Sequence, residues 1–242
     1  MAKAKADTNT EWLDTVAHDL RNPINLVSGC LDAIQNMGPL NERQTHYLNR
    51  AFVGLRRMDH LIARLKDISW IDSDGPLDLG VVNVKKLIEE AADMLLEAAE
   101  QHSITFTLNI DEKIGDIEGD EARLAQVMDN LISNAIKYNK DAGSVIVTAT
   151  RDDQLLQVAV RDTGIGIALE DQSHVFERFF RAQEGIRLRI EGSGLGLAIS
   201  QGIVHRHGGH LWLESEAGVG STFFVSLPVF PNSGANQKKR HA

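Results

Sequence analysis

Cysteine is nearly absent from these 242 residues, and the single Cys30 leaves no partner for an internal disulfide. A reducing cytoplasm fits that usage. Cys30 lies in an apolar periodicity and reads as a small buried hydrophobe. Long hydrophobic runs are missing too: no stretch reaches the roughly 18 apolar residues of a membrane span. The N-terminal MAKAKADTNT carries two lysines with no apolar segment behind them, so it is not a secretory signal. Positive charge is in deficit. With 25 basic against 34 acidic side chains the formal charge is −9, which argues against unspecific attraction to nucleic acid or anionic lipid. What is present is ordinary globular composition, 43% hydrophobic and 24% charged, long enough for two modest domains.

From Trp12 the apolar positions run Trp12, Val16, Leu20, Pro23, Val27, Leu31, Ile34 in steps of three and four, a helical seam. It stops at Met37-Gly38-Pro39-Leu40, and Leu48, Phe52, Leu55, Met58, Ile62, Leu65 and Ile68 then repeat the spacing. Two antiparallel helices follow from this. One hairpin exposes too much of such a seam, so pairing with a second copy into a four-helix bundle is expected. The turn formers and acids of Asp72-Ser73-Asp74-Gly75-Pro76 mark the boundary, giving domains at 10–72 and 80–230 and a frayed polar tail at 231–242.

Beyond the boundary the expected order is a helix from Val84 to about Gln101, a strand from Ile104 to Leu108 and a helix from about Asp120 to Asn139. A hairpin of Ser144–Thr150 with Leu155–Val160 follows, then a helix from Gly196 to His207 and strands at His210–Glu216 and Thr222–Leu227. The fold class is α+β: a helical hairpin, then a two-layer α/β sandwich.

Counting about 100° per residue, His18 falls about 200° from the seam and points at solvent. Its neighbours set it apart from the other eight histidines. Asp19 adjoins the imidazole and can hold its tautomer as a general base. Asn22 follows at i+4 on the same face. Pro23 removes a backbone hydrogen bond and is expected to bend the helix just beyond. His205, His207 and His210 cluster around Gly208-Gly209, where capping of a helix end is favoured over metal binding.

Four separate segments point to nucleotide chemistry. In the first, Asn130, Asn134, Lys137 and Tyr138 share one helix face, where asparagine oxygens suit Mg²⁺ and Lys137 offers a charge to phosphate. In Asp162-Thr163-Gly164-Ile165-Gly166 the carboxylate can accept from an adenine amino group while the glycines admit a ring closely; alone, the segment reads equally well as a turn. Gly192-Ser193-Gly194-Leu195-Gly196 opens a helix, where backbone N–H groups favour phosphate. No strand immediately precedes it, which excludes a dinucleotide fold. Gly218-Val219-Gly220-Ser221-Thr222 alone is a glycine turn. Between the second and third lie Phe176, Phe179, Phe180 and Arg181, then a long connection with Arg187 and Arg189 that reads as a lid anchored by its aromatics, with arginines for phosphate.

Ala17-His18-Asp19-Leu20-Arg21-Asn22-Pro23-Ile24 resembles the H-box of the dimerisation and phosphotransfer domain of histidine kinases. The later segments, in order, resemble the N, G1, F, G2 and G3 boxes of that family's catalytic domain, which belongs to the superfamily of Hsp90-type chaperones, type II topoisomerases and MutL-type ATPases. The resemblance spans roughly residues 11 to 228. It implies ATP and Mg²⁺ as cofactors, His18 as phosphoacceptor, Asp19 assisting it, and Asn22 positioning water to dephosphorylate a response-regulator partner. It further implies Asn134 with Asn130 at the metal and Lys137, Tyr138 and Arg181 at the phosphates. Asp162 is expected at adenine, and Gly164, Gly166, Gly192, Gly194, Leu195, Gly196 and Thr222 around the pocket.

Where hydrolysing relatives carry a glutamate base, this chain has Asn130, which favours transfer to histidine over a plain ATPase. A degenerate scaffold would have lost His18, Asn134, Asp162 or the glycines, and none is lost. The expected assembly is a homodimer, and no receiver domain is present, so the regulator is expected as a separate protein. Seventeen residues precede His18, too few for a sensor, which is expected elsewhere and can be membrane-bound.

Overall fold

The structure, a computed structural model, describes residues 2–73, 75–152, 154–188, 190 and 192–229, with backbone alone for 2–16 and 18. Expectations on the side chains of Trp12, Val16 and His18, on Arg189, and on the tail at 231–242 lie outside the described residues. The chain separates into two compact units, Met1–Pro76 and Leu77–Ala242.

The first unit is an antiparallel pair of helices, α1 (Ala2–Asn36) and α2 (Glu42–Asp72). Their turn ends on a capping box, in which Asn41 Oδ1 accepts from Gln44 N and Gln44 Oε1 from Asn41 N, both at 2.9 Å. Pro23 sits inside α1 without ending it. The buried line on α1 is Ala17 and Ile24, with Leu31 against it, packed on Leu55, Ile62 and Phe52 of α2. This corrects the single seam read from the sequence, because Leu20, Val27 and Ile34 are exposed. The apolar stripe is wider than one partner helix can cover. Cys30 is exposed as well, contrary to the buried hydrophobe expected: it follows Gly29 on the outward side, next to the inward Leu31. At the end of α2, Trp70 Nε1 donates to Pro76 O at 3.3 Å, folding the turn back on the ring.

The second unit begins with β1 (Gly80–Asn83), α3 (Val84–Asp93), α4 (Leu96–Gln101), β2 (Thr105–Ile110), β3 (Asp116–Gly119) and α5 (Glu121–Lys137). It continues with β4 (Ser144–Arg151), β5 (Leu155–Asp162), α6 (Leu169–Gln172), α7 (Gln183–Arg187), α8 (Gly196–Arg206), β6 (His210–Glu216) and β7 (Gly220–Pro228). The main sheet runs β2-β4-β5-β7-β6, parallel only between β2 and β4. Strand alternation turns Val145, Val147, Val158, Val160, Phe223 and Val225 inward, and α5 lies among them with Val127, Leu131 and Ile132 fully buried. α3 and α8 flank α5. The outer face carries a stack of Trp212 on Phe224 with ring centres 5.1 Å apart.

Two expectations change. The single helix expected over Val84–Gln101 is broken at Met94-Leu95, since α3 buries Leu87, Ile88, Ala91 and Ala92 while the next turn buries Ala99 on its way into β2. β1 and β3 form a separate antiparallel pair of four residues each, too short for alternation to register in the sequence. Among the described residues no helix is long and apolar enough to cross a membrane.

Candidate nucleotide site and phosphoacceptor helix

On α1, Asp19 and Asn22 are exposed, one to either side of the buried line through Ala17 and Ile24. His18 lies in this helix, one residue from fully buried Ala17 and one turn before Asn22, by backbone placement.

In the second unit the four segments meet, and the glycines show how closely. A Cβ on Gly164 would strike Tyr138 O and Asn139 at the end of α5, where Ile165 N also donates to Tyr138 O at 3.0 Å. Gly166, at φ +63°, lies against the backbone of Glu216 and Ala217, and Gly218 N donates to Ile165 O at 2.7 Å. A Cβ on Gly192 would lie 3.1 Å from Lys137 Nζ and 3.5 Å from the Tyr138 hydroxyl. Gly194, at φ +69°, presses on the backbone of Phe179 and Phe180, and Phe179 N donates to Gly194 O at 2.8 Å. At Gly164, Gly166 and Gly194, where the neighbour is backbone, only glycine fits.

Asp162 closes β5 at 7% exposure. Its Oδ1 accepts from Gly164 N at 2.8 Å and Ser221 N at 3.3 Å, while no donor reaches Oδ2 among the described residues. Burial pushes this carboxyl up to about 6, against the two amides that lower it. The outcome is a fixed acceptor, held from one side and open on the other. Ser221 supports it further, since its hydroxyl meets that of Ser215 at 2.9 Å. Ser215 Oγ also donates to Gly220 O and accepts from Ile167 N, so the loops after β5 and before β7 are tied through one oxygen.

The structure corrects Thr222. It pairs with Arg161 and Glu214 on the outer face, because alternation sends it away from Asp162, and Ser221 takes the place beside the carboxylate. Sequence reasoning missed Ser221, Ser215 and Asn139; Asn139 Nδ2 donates to Ala135 O and Ser144 O and so fixes the end of α5. The only signal for Ser221 was its place directly after the turn glycine.

Asn130 and Asn134 are partly buried on one side of α5, with Lys137 exposed beyond them. Asn130 Nδ2 donates to Ser200 Oγ at 3.0 Å, which leaves its carbonyl oxygen as the outward atom. Lys137 Nζ stands 4.9 Å over the Tyr138 ring. Gly185 of α7 lies against that ring too, so the connection expected as a lid has one helical turn seated on Tyr138. The lid's aromatics do not all anchor it: Phe179 points outward at 64% exposure with φ +65°. Arg187 pairs with Glu184 at 2.7 Å, a contact between neighbours on one short helix. Arg181 donates to Ile190 O and keeps a buried Nε without a partner among the described residues. Leu195 is buried, so only its main chain is available to a ligand.

These donors fit a magnesium nucleotide. The asparagine oxygens are hard neutral ligands, Lys137 and the glycine-rich start of α8 supply positive potential, and Asp162 offers an acceptor for an amino group. Buried Asp129 Oδ1 also lacks a partner among the described residues, and burial raises its carboxyl.

Two family models match the chain. "His Kinase A (phospho-acceptor) domain" covers residues 8–74. "Histidine kinase-, DNA gyrase B-, and HSP90-like ATPase" covers 119–231. The circadian input-output histidine kinase CikA of Synechococcus elongatus is 32% identical over 94% of this chain and 31% of its own length. Among solved structures, full-length ShkA in complex with AMPPNP matches 91% of this chain and 46% of its own at 28% identity and TM-score 0.76. ThkA in complex with the response regulator TrrA matches 92% and 62% at 27% identity and TM-score 0.63. The chain thus spans about a third of the curated relative.

Proposed function

Since the chain belongs to the histidine kinases and carries both their phosphoacceptor and their ATPase-like domain, we propose that it autophosphorylates His18 from ATP and passes the phosphoryl group to an aspartate of a separate response regulator. The close approach of the glycine segments to the end of α5 and to one another, with buried Asp162 among them, carries this reading. Asp162 Oδ2 accepts from the adenine amino group. The carbonyl oxygens of Asn134 and Asn130 hold Mg²⁺, which when bound neutralises phosphate charge. Lys137, Tyr138, Arg181 and the main chain of Gly192–Gly196 orient the phosphates. Asp19 takes the proton from one ring nitrogen of His18 as the other attacks the γ-phosphorus, whose bond to the β–γ bridging oxygen breaks so that ADP leaves.

Asn130 supports transfer over hydrolysis, because a carboxamide bonded to Ser200 cannot accept a proton from water. The solved ThkA complex with a response regulator supports the partner class by analogy. Asn22, exposed on α1, is assigned to positioning the water that dephosphorylates the regulator. The outward apolar line of Leu20, Val27 and Ile34 supports a homodimer. Labelling with γ-radiolabelled ATP tests the central step. The expected product is acid-labile and base-stable, lost in His18→Ala and kept in His46→Ala and His60→Ala. Label that persists in His18→Ala refutes the assignment.

A further inference from the structure

α5 and α8 carry most of the groups assigned to nucleotide, and polar side chains tie them together at two levels, one at the assigned metal ligand Asn130 and one at the distant end. Midway along, Asn130 Nδ2 donates to Ser200 Oγ at 3.0 Å. At the distant end, Asp120 caps α5 through Oδ1 to Arg123 N, and its own N–H donates to His207 Nε2 at 3.0 Å. His207 closes α8, and its Nδ1 meets Ile203 O at 2.8 Å. An imidazole that accepts at Nε2 must carry its proton on Nδ1, so both ring nitrogens are committed. Asp120 and His207 are both buried, and a Cβ on Gly119 would lie 2.7 Å from Leu124 and 3.4 Å from the His207 ring. Asp120 Oδ2 also accepts from Asp78 N at 3.1 Å, near the start of the second unit.

We propose that Ser200 and His207 are positioning residues for nucleotide binding, two polar rungs that fix how α8 slides and pivots along α5. The rungs are about 15 Å apart along α5, by its rise per residue. Apolar side chains alone permit small slides, since dispersion is non-directional. Two hydrogen-bonded points do not. The distance they fix is the one between Lys137 at the end of α5 and Gly192–Gly196 at the start of α8, which close on the same phosphates. Nucleotide binds only the aligned arrangement, so losing a rung lowers apparent affinity by the fraction of molecules that leave it.

This rests on the nucleotide reading above, and the test separates the two. AMPPNP affinity of the whole chain is measured by titration calorimetry, beside the ATP dependence of autophosphorylation. His207→Phe keeps a ring against Gly119 but neither hydrogen bond, and is expected to bind about tenfold more weakly, with KM raised and kcat kept. His207→Gln has an acceptor and a donor on one amide and is expected to restore affinity to within about twofold. Ser200→Ala, a smaller change, is expected to weaken binding in the same direction even if the phenylalanine variant does not fold. Wild-type affinity in Ser200→Ala or His207→Phe, or equal weakness in Phe and Gln, overturns the inference alone. Wild-type protein that fails to bind AMPPNP overturns the site and the inference together.

Discussion

Asp162 is the residue whose environment departs furthest from water for the charge it carries. Moving its carboxyl from 3.8 to about 6 is worth about 3 kcal/mol between protonation states, an upper bound for the charge-burial cost. The raised value means the folded state holds the proton more tightly than the unfolded chain. Its contribution therefore favours folding below about pH 4 and is lost as pH rises through about 6. Asp162→Asn keeps an oxygen for the two amides and sheds the charge. Without nucleotide at pH 7 it is expected to melt higher than wild type, by a few degrees. AMPPNP, which raises the wild-type melting temperature, is expected to leave the variant unmoved. Wild-type nucleotide affinity is likewise expected to fall as pH drops below about 6, where the acceptor is protonated. Asp162 stood out in the sequence only in company: its segment alone reads equally well as a turn, and the three other segments pointed it toward nucleotide. Ser221 was not, because choosing it over Thr222 depends on strand register, and one step of alternation separates the two faces.

Elements were legible where periodicity ran long. The two helices of the first unit and the β4–β5 hairpin came from apolar spacing over many residues. β1, β3, α6 and α7, of four or five residues each, did not, since so short a run holds no period to read. The apolar periodicity of α1 was legible as one seam, but not the width of the stripe or how it divides between the partner helix and solvent, which depends on packing. The junction of α8 with the preceding loop makes the sharpest element-scale prediction. A Cβ on Gly194 would lie within 2.9 Å of Phe179 and Phe180 backbone, at a φ of +69°. Gly194→Ala is expected to lose about 1–3 kcal/mol by chemical denaturation and nearly all AMPPNP binding. Gly218, with open space around its Cβ position and φ +81°, is a fitting control, since its alanine variant strains the turn but meets no neighbour. At the other hairpin, Asn41→Ala removes one half of the capping box and is expected to lower stability by about 1 kcal/mol, with no effect on nucleotide affinity.

At the scale of the whole molecule the proposed function divides between the two units, the phosphoacceptor helix in one and the nucleotide cradle in the other. The exposed apolar line on α1 is the feature that neither unit explains alone. Leu20, Val27 and Ile34 recur at heptad spacing and are each nearly half exposed, while the parallel line through Ala17 and Ile24 is buried against α2. A lone hairpin would leave this stripe in water, where each such side chain forfeits roughly 1–2 kcal/mol of the burial open to it. A second copy, related by a two-fold axis, is expected to cover it with its own equivalent stripe. Val27→Asp places a charge in the middle of that line, nine residues beyond His18 and outside the nucleotide cradle. Sedimentation velocity is expected to show wild type as a dimer and Val27→Asp as a monomer, with AMPPNP affinity unchanged because the second unit folds on its own core. A monomeric wild type, or a variant that stays dimeric, would mean that the stripe serves another partner.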